Sequence, residues 1–171
     1  MSPQLEEYIP GTIWLCRYPV SLAGAEFDAR MTVVRLRDGT LMLHSPCTID
    51  AQMKVALTAL GTTAYLVAPG TLHHLHIASA QAAFPEAKTY ICPGVERRSP
   101  ELKFDRLLGD TAPDGWREQL DQVLVRGSRW IREVAFFHRD SRTLILVDLV
   151  ENFTDRTPHA NWALKLWWKY I

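Results

Sequence analysis

The chain has 171 residues, 47% of them hydrophobic, and its 19 Lys and Arg balance its 19 Asp and Glu, giving a formal net charge of zero. This composition can bury a sizeable core, which excludes intrinsic disorder. It lacks the basic excess that nucleic-acid binding requires, so we expect no nucleic-acid partner. The length suits one domain, residues 1–171, better than two.

Three further features bear on the compartment. No apolar run reaches the roughly 18–20 residues that cross a bilayer, so no membrane span is expected. Residues 1–10 are acidic and lack the apolar stretch of a signal peptide. The three cysteines are far apart and form no CxxC pair, which is typical of a reducing compartment. The sequence therefore predicts a cytoplasmic protein.

The apolar pattern alternates between strand and helix periods along the chain. An Asp38-Gly39 turn separates the second and third predicted strands, since Gly accepts a positive φ at no steric cost. Helices are predicted over residues 49–60, with Thr48 as the N-cap and Gly61 at the end, and over residues 77–84. The strands are predicted at residues 12–17, 31–36, 41–45, 65–68, 89–92, 122–125, 134–138 and 143–149.

Strands and helices alternate through the middle of the chain, which predicts an α/β fold with parallel pairing. Three strands end in a proline step, at Ser45-Pro46, Ala68-Pro69 and Cys92-Pro93, because proline cannot continue a strand ladder. Ligands bind outside the carboxyl ends of such strands. His44 lies at the first of these ends, and Asp148 lies near the end of the last predicted strand. Metal-capable side chains are therefore expected on one rim.

Three of the six histidines, His73, His74 and His76, fall within four residues after a predicted strand. Imidazole is the commonest transition-metal ligand, and a carboxylate completes mixed sites for zinc, iron or manganese. The alternative is that one histidine caps the following helix and the others are polar surface. His138 is predicted to lie too far from Asp148 to share a metal, whereas His159 could fold back toward it.

Several segments resemble known proteins. The stretch LVAPGTLHHLHI at 66–77, with the helix and strand after it, resembles the His-x-His-x-Asp-His region of metallo-β-lactamase-fold hydrolases. LILVDLV at 144–150 resembles the later strand whose terminal Asp bridges two metals. A closer resemblance is to a domain-of-unknown-function family of this superfamily, through phrases at 31–46, 66–75 and 133–153.

The resemblance implies a metallo-β-lactamase-like αββα sandwich, shortened at the C-terminus, and it implies a reduced metal site. His73 and His74 take the Asp and last His of the motif, whereas Pro69 and Thr71 replace its first two histidines. With Asp148, this leaves three ligands for one zinc, iron or manganese ion, or for none. His76 and His44 are further candidate ligands outside the general motif.

Two functions remain open at this point. The first is a single-metal hydrolase in which metal-activated water attacks an unknown small-molecule substrate and Asp148 acts catalytically. The second is a non-catalytic binding or assembly module with a degenerate metal site, forming a homodimer through a helical aromatic tail, residues 162–171. A serine nucleophile is not expected, because Ser45 and Ser128 lack elbow-type glycine spacing and an orienting base.

Overall fold

The computed structural model describes residues 4–22, 25–128, 132–150 and 162. A seven-stranded sheet has its strands in chain order, and a three-stranded sheet has the order β10-β9-β8. The strands of the larger sheet are β1 Leu5–Ile9, β2 Ile13–Leu22, β3 Ala25–Arg35, β4 Thr40–His44, β5 Thr62–Ala68, β6 Lys88–Ile91 and β7 Arg106–Leu107. Those of the smaller sheet are β8 Leu120–Val125, β9 Glu133–His138 and β10 Thr143–Ile145.

The first four strands form an antiparallel meander. The turn between β3 and β4 is the predicted one: Gly39 has a φ of 82°, a value that glycine adopts freely. The Asp38 carboxylate accepts hydrogen bonds from the Thr40 backbone N–H at 2.9 Å and from its hydroxyl at 2.7 Å. The Asp-Gly pair therefore closes the hairpin in the way that its sequence indicates.

From β4 to β7 the strands are parallel, because helices carry the chain back to the same edge. These helices are α1 Ala51–Leu60, α2 Ile77–Ala83 and the single turn α3 Val95–Arg98. The predicted N-cap Thr48 is wrong: Asp50 caps α1 and accepts from the Met53 N–H at 2.7 Å. Gly61 ends α1, as predicted.

The two sheets share one hydrophobic core. Its largest fully buried side chains come from both sheets and from α1, α2 and the segment before β8; they include Trp116, Phe136, Met31, Leu57, Ile77 and Leu120. At the carboxyl end of β5 the sheets are joined by a Gly70–Glu133 bridge, with hydrogen bonds from Val134 N–H to the Pro69 carbonyl at 2.7 Å and from Thr71 N–H to the Arg132 carbonyl at 3.2 Å.

The strand predictions differ from the structure in several places. Neither β1 nor β7 was predicted, because most β1 residues and both β7 residues are exposed and carry no alternating apolar pattern. The last strand stops at Ile145 instead of continuing to Leu149, because the backbone N–H groups of residues 147–149 bond to a glutamate side chain rather than to a neighbouring strand. The tail at 162–171 lies outside the described residues, apart from Trp162.

Candidate functional site

The candidate site lies on the rim where β4 and β5 end. Ser45 directly follows β4, and His73 lies in the loop between β5 and α2. Asp148 comes from the other sheet, three residues beyond β10. Because the Gly70–Glu133 bridge joins the sheets here, the two loops meet although 75 residues separate His73 from Asp148.

His73 is bonded on both sides of its ring. Its Nε2 lies 2.9 Å from Asp148 Oδ1, and its Nδ1 lies 2.7 Å from Ser45 Oγ. A carboxylate can only accept, so in the neutral ring His73 donates from Nε2 to Asp148 and accepts a hydrogen bond from the Ser45 hydroxyl at Nδ1. The side chains of His73 and Asp148 are each 16% exposed. The result is a continuous hydroxyl–imidazole–carboxylate relay.

Ser45 has an unusual backbone conformation. Its φ is 54°, in the left-handed region that residues other than glycine rarely occupy. The Ser45 N–H donates to the Val67 carbonyl at 2.9 Å, which holds this turn against β5. The prediction that Ser45 lacks an orienting base is wrong, because His73 is in hydrogen-bond contact with it. The shared rim position of the two residues, each after a proline-marked strand end, was the available signal.

The Tyr18 hydroxyl completes the surroundings of Ser45. Tyr18 is buried, and its phenol lies near the Ser45 side chain. Burial raises the pKa of Tyr18 to about 12, more than the nearby Ser45 side chain lowers it. The phenol therefore stays protonated near neutral pH and keeps a proton that it can donate.

Glu133 fixes the loop that carries Asp148. Glu133 is fully buried, and its carboxylate accepts from the backbone N–H groups of Val147, Asp148 and Leu149 at 2.9, 2.7 and 2.8 Å. Burial raises the pKa of this carboxyl, while the three N–H donors act in the opposite direction. Sequence reasoning missed Glu133, because a single Glu in an apolar strand carries no motif.

His44 is placed apart from the relay. It is 1% exposed, neither ring nitrogen has a hydrogen-bond partner, and its ring packs edge-on against Phe136 at 5.2 Å. Burial, with a smaller effect from the charge of His73, lowers the pKa of His44 to about 3. His44 is therefore a neutral core side chain at physiological pH.

The other two clustered histidines also have separate surroundings. His76 Nδ1 lies 3.0 Å from Thr48 Oγ1, and its ring meets Tyr18 edge-on at 5.3 Å. His74 Nδ1 is buried without a hydrogen-bond partner. Burial lowers the pKa of both imidazoles. Of the five predicted ligands, the structure brings only His73 and Asp148 into contact.

The fit to a metal ion follows from this arrangement. Within residues 4–22, 25–128, 132–150 and 162, no three His, Cys, Asp or Glu side chains are grouped so as to hold a metal. A zinc site needs at least three protein ligands, and here the two adjacent donors are bonded to each other. The structure therefore brings together two of the three ligands that the resemblance implies, and a metal here would need His74 to join them.

The remaining histidines and the membrane span were also considered in the sequence. His138 lies at the end of β9, and its Nδ1 is 2.7 Å from Ser141 Oγ. His159 lies outside the described residues. No helix in the described part of the chain is both long and apolar enough to cross a membrane.

Solved structures share this architecture. A metallo-β-lactamase from Pontibacter korlensis matches with a TM-score of 0.66 at 13% identity, over 99% of this chain and 86% of that one. The metallo-β-lactamase from Hirschia baltica matches at 0.63 and 11%, over 83% and 69%. FIM-1 from Pseudomonas aeruginosa, in its mono-zinc form, matches at 0.59 and 10%, over 80% and 64%. At these identities the similarity establishes the metallo-β-lactamase-like fold alone.

No curated protein matches the chain. A family model described as "Domain of unknown function (DUF4336)" matches residues 10–166, which is most of the sequence. The predicted resemblance to a domain-of-unknown-function family with a metallo-β-lactamase-like fold is thus confirmed. The chain belongs to the DUF4336 family.

Proposed function

We propose that this chain is a hydrolase whose reaction centre is the His73–Asp148 pair, with the imidazole acting as a general base. The observation that carries the proposal is the 2.9 Å contact between His73 Nε2 and Asp148 Oδ1 at a partly exposed rim. An acidic partner fixes the tautomer of the imidazole and stabilises its protonated form, which is what a general base requires. The substrate is a small molecule of unassigned identity.

The surroundings of the pair support this role. Asp148 is held through its own backbone N–H by the buried Glu133, so its carboxylate keeps a fixed position. His73 is held between Asp148 and Ser45, so its ring cannot rotate without breaking two hydrogen bonds. Preorganisation of this kind is costly to build and is typical of reaction centres.

The test uses small chromogenic substrates. Purified protein is assayed against p-nitrophenyl acetate, p-nitrophenyl phosphate and a chromogenic β-lactam, in the presence of chelator. We expect hydrolysis of at least one substrate, and a loss of about 10²-fold or more in His73→Gln and Asp148→Asn. His76→Gln, a change on the same rim outside the pair, serves as the matched control and should keep its activity. Equal rates in all four proteins, or no hydrolysis at all, would overturn the proposal.

A second candidate function is single-metal hydrolysis, with His73, His74 and Asp148 holding zinc, iron or manganese and with His76 and His44 as auxiliary ligands. The buried, unpartnered Nδ1 of His74 favours it. A bound metal would supply an activated water. Elemental analysis of protein purified without a His-tag tests it. Stoichiometric metal that is lost in His74→Ala would support this candidate, and metal-free protein with unchanged stability in chelator would refute it.

A third candidate is a non-catalytic assembly module that forms a homodimer through the aromatic tail at 162–171. Trp162, which the structure describes, is 77% exposed and so available for such contact. A large exposed aromatic side chain is a common feature of association surfaces. This candidate predicts no hydrolysis in the substrate panel and a dimer in solution.

A further inference from the structure

We propose that Ser45 is a covalent nucleophile and that the chain is an acyl hydrolase acting on short-chain esters or thioesters. This inference rests on the proposed function, because it requires His73 to act as the base. It goes further by naming the attacking atom, Ser45 Oγ, and the class of substrate. No metal ion takes part in it.

The backbone of Ser45 is strained. Its φ of 54° is unfavourable for a serine, and such strain persists only where the surroundings impose it. Here the constraint is a sharp turn between the end of β4 and Pro46, with the Ser45 N–H bonded to Val67. Serine nucleophiles in other folds sit on a similarly strained turn after a strand, where the side chain is presented to its base.

The Ser45 hydroxyl contacts an imidazole whose far side is bonded to a carboxylate. Ser45 Oγ lies 2.7 Å from His73 Nδ1, within the range in which a proton can pass, and Asp148 bonds the opposite ring nitrogen. The relay uses the ring nitrogens in the reverse order to the familiar serine-protease arrangement, but the three roles are the same. A serine with a purely structural role needs one hydrogen bond from its hydroxyl. It does not need a carboxylate on the opposite side of the imidazole that it contacts.

A donor beside Ser45 can stabilise an oxyanion. Pro46 has no N–H, so the backbone amide that follows the nucleophile cannot do so. The buried Tyr18 phenol lies near the Ser45 side chain, keeps its proton near neutral pH and can supply that donor. Tyr18 is therefore assigned the role of stabilising the negative charge that develops on the acyl oxygen.

The reaction balances with water as the only co-reactant. Ser45 Oγ attacks the acyl carbon while its proton passes to His73 Nδ1, giving a tetrahedral oxyanion. Collapse breaks the bond to the leaving alcohol or thiol, which takes the proton from His73. Water then attacks the acyl-Ser45 ester and gives its proton to His73. The second collapse releases the carboxylic acid and returns the proton to Ser45.

The substrate class follows from exposure. Ser45 is 1% exposed, whereas His73 and Asp148 on the rim are 16% exposed. The acyl group must therefore reach a nearly buried hydroxyl past the rim. A short, unbranched acyl chain on an alcohol or thiol leaving group suits this burial better than a bulky amide.

The experiment traps the intermediate. The full-length protein is mixed with p-nitrophenyl acetate, quenched in acid, digested and mapped by mass spectrometry. We expect one acetyl group on the peptide that contains Ser45, and none on it in Ser45→Ala or His73→Gln. Ser141→Ala is the matched control, because Ser141 also bonds a histidine, His138, but has no carboxylate completing a relay. This control should keep both the adduct and the activity.

A second variant distinguishes loss of the Ser45 hydroxyl from misfolding of the protein. Ser45→Gly suits the positive φ, so it should fold at least as well as the wild type in thermal melts while losing the adduct and about 10²-fold or more of the hydrolysis rate. Retained hydrolysis in Ser45→Gly, with loss only in His73→Gln, would overturn the covalent step and leave the general-base proposal standing. Absence of both adduct and hydrolysis in the wild type would overturn both.

Discussion

Removing the Glu133 carboxylate should destabilise the protein more than any single change on its surface. In Glu133→Ala, the N–H groups of Val147, Asp148 and Leu149 lose an acceptor that now lies 2.7–2.9 Å away. Each orphaned donor costs about 1–3 kcal/mol when it stays dry. This loop is only part-buried, so water can enter and the lower end applies. We expect a loss of about 3–5 kcal/mol.

Chemical unfolding in urea, followed by circular dichroism, measures this loss. Glu133→Gln keeps one acceptor oxygen and should lose about half as much. Glu118→Ala is the control: the Glu118 side chain is 78% exposed, with an ion pair to Arg117 at 3.5 Å, so its removal should change stability by less than about 0.5 kcal/mol. A free energy of unfolding for Glu133→Ala within 1 kcal/mol of the wild type would show that these three hydrogen bonds do not hold the loop.

Three further predictions concern acid, packing and assembly. Because the folded-state pKa of His44 is about 3 against an ordinary 6.5, its contribution to stability should be complete above pH 6.5 and be lost as pH falls toward 3. This difference in pKa corresponds to about 5 kcal/mol of stability lost over that pH range. In His44→Leu, the Tm measured across the same range should depend less on pH. Gly61→Ala should destabilise, because the new Cβ would lie 2.3 Å from the Gly39 carbonyl, whereas Gly109→Ala meets nothing within 4 Å and should not. If the tail at 162–171 mediates assembly, light scattering should show a dimer, which a double Trp167→Ser, Trp168→Ser variant dissociates; a monomer in both would defeat the idea.

The sequence predicts the rim better than it predicts the site. Proline after each of three strands marks their carboxyl ends, and this correctly places Ser45 and His73 on one edge. Their contact could not be foreseen, because it depends on the register of β4 against β5 and on the left-handed turn at Ser45. Neither the strand register nor the turn produces a periodic pattern of apolar residues that the sequence would show.

Other features also depend on tertiary contacts. His44 ends a strand on the same rim, but its side chain turns inward onto Phe136, a partner that lies 92 positions later. Glu133 gains its role only when the loop at 147–149 presents three N–H groups to it. Thr48 and Asp50 are both N-cap residue types, with Asp the stronger of the two, and α1 begins after Asp50.

Long-range ¹H–¹⁵N NMR, which identifies the tautomer of His73, tests the proposed relay most directly. The Asp148→Asn variant shows which ring signals belong to His73. A relay from Ser45 to Asp148 requires the proton on Nε2, with Nδ1 accepting from the hydroxyl. We expect this Nε2–H form in the neutral ring, unchanged by added zinc. A metal centre would instead leave Nε2 free to bind and place the proton on Nδ1. An Nδ1–H ring whose Nε2 signal shifts on zinc addition would contradict the Ser45–His73–Asp148 relay.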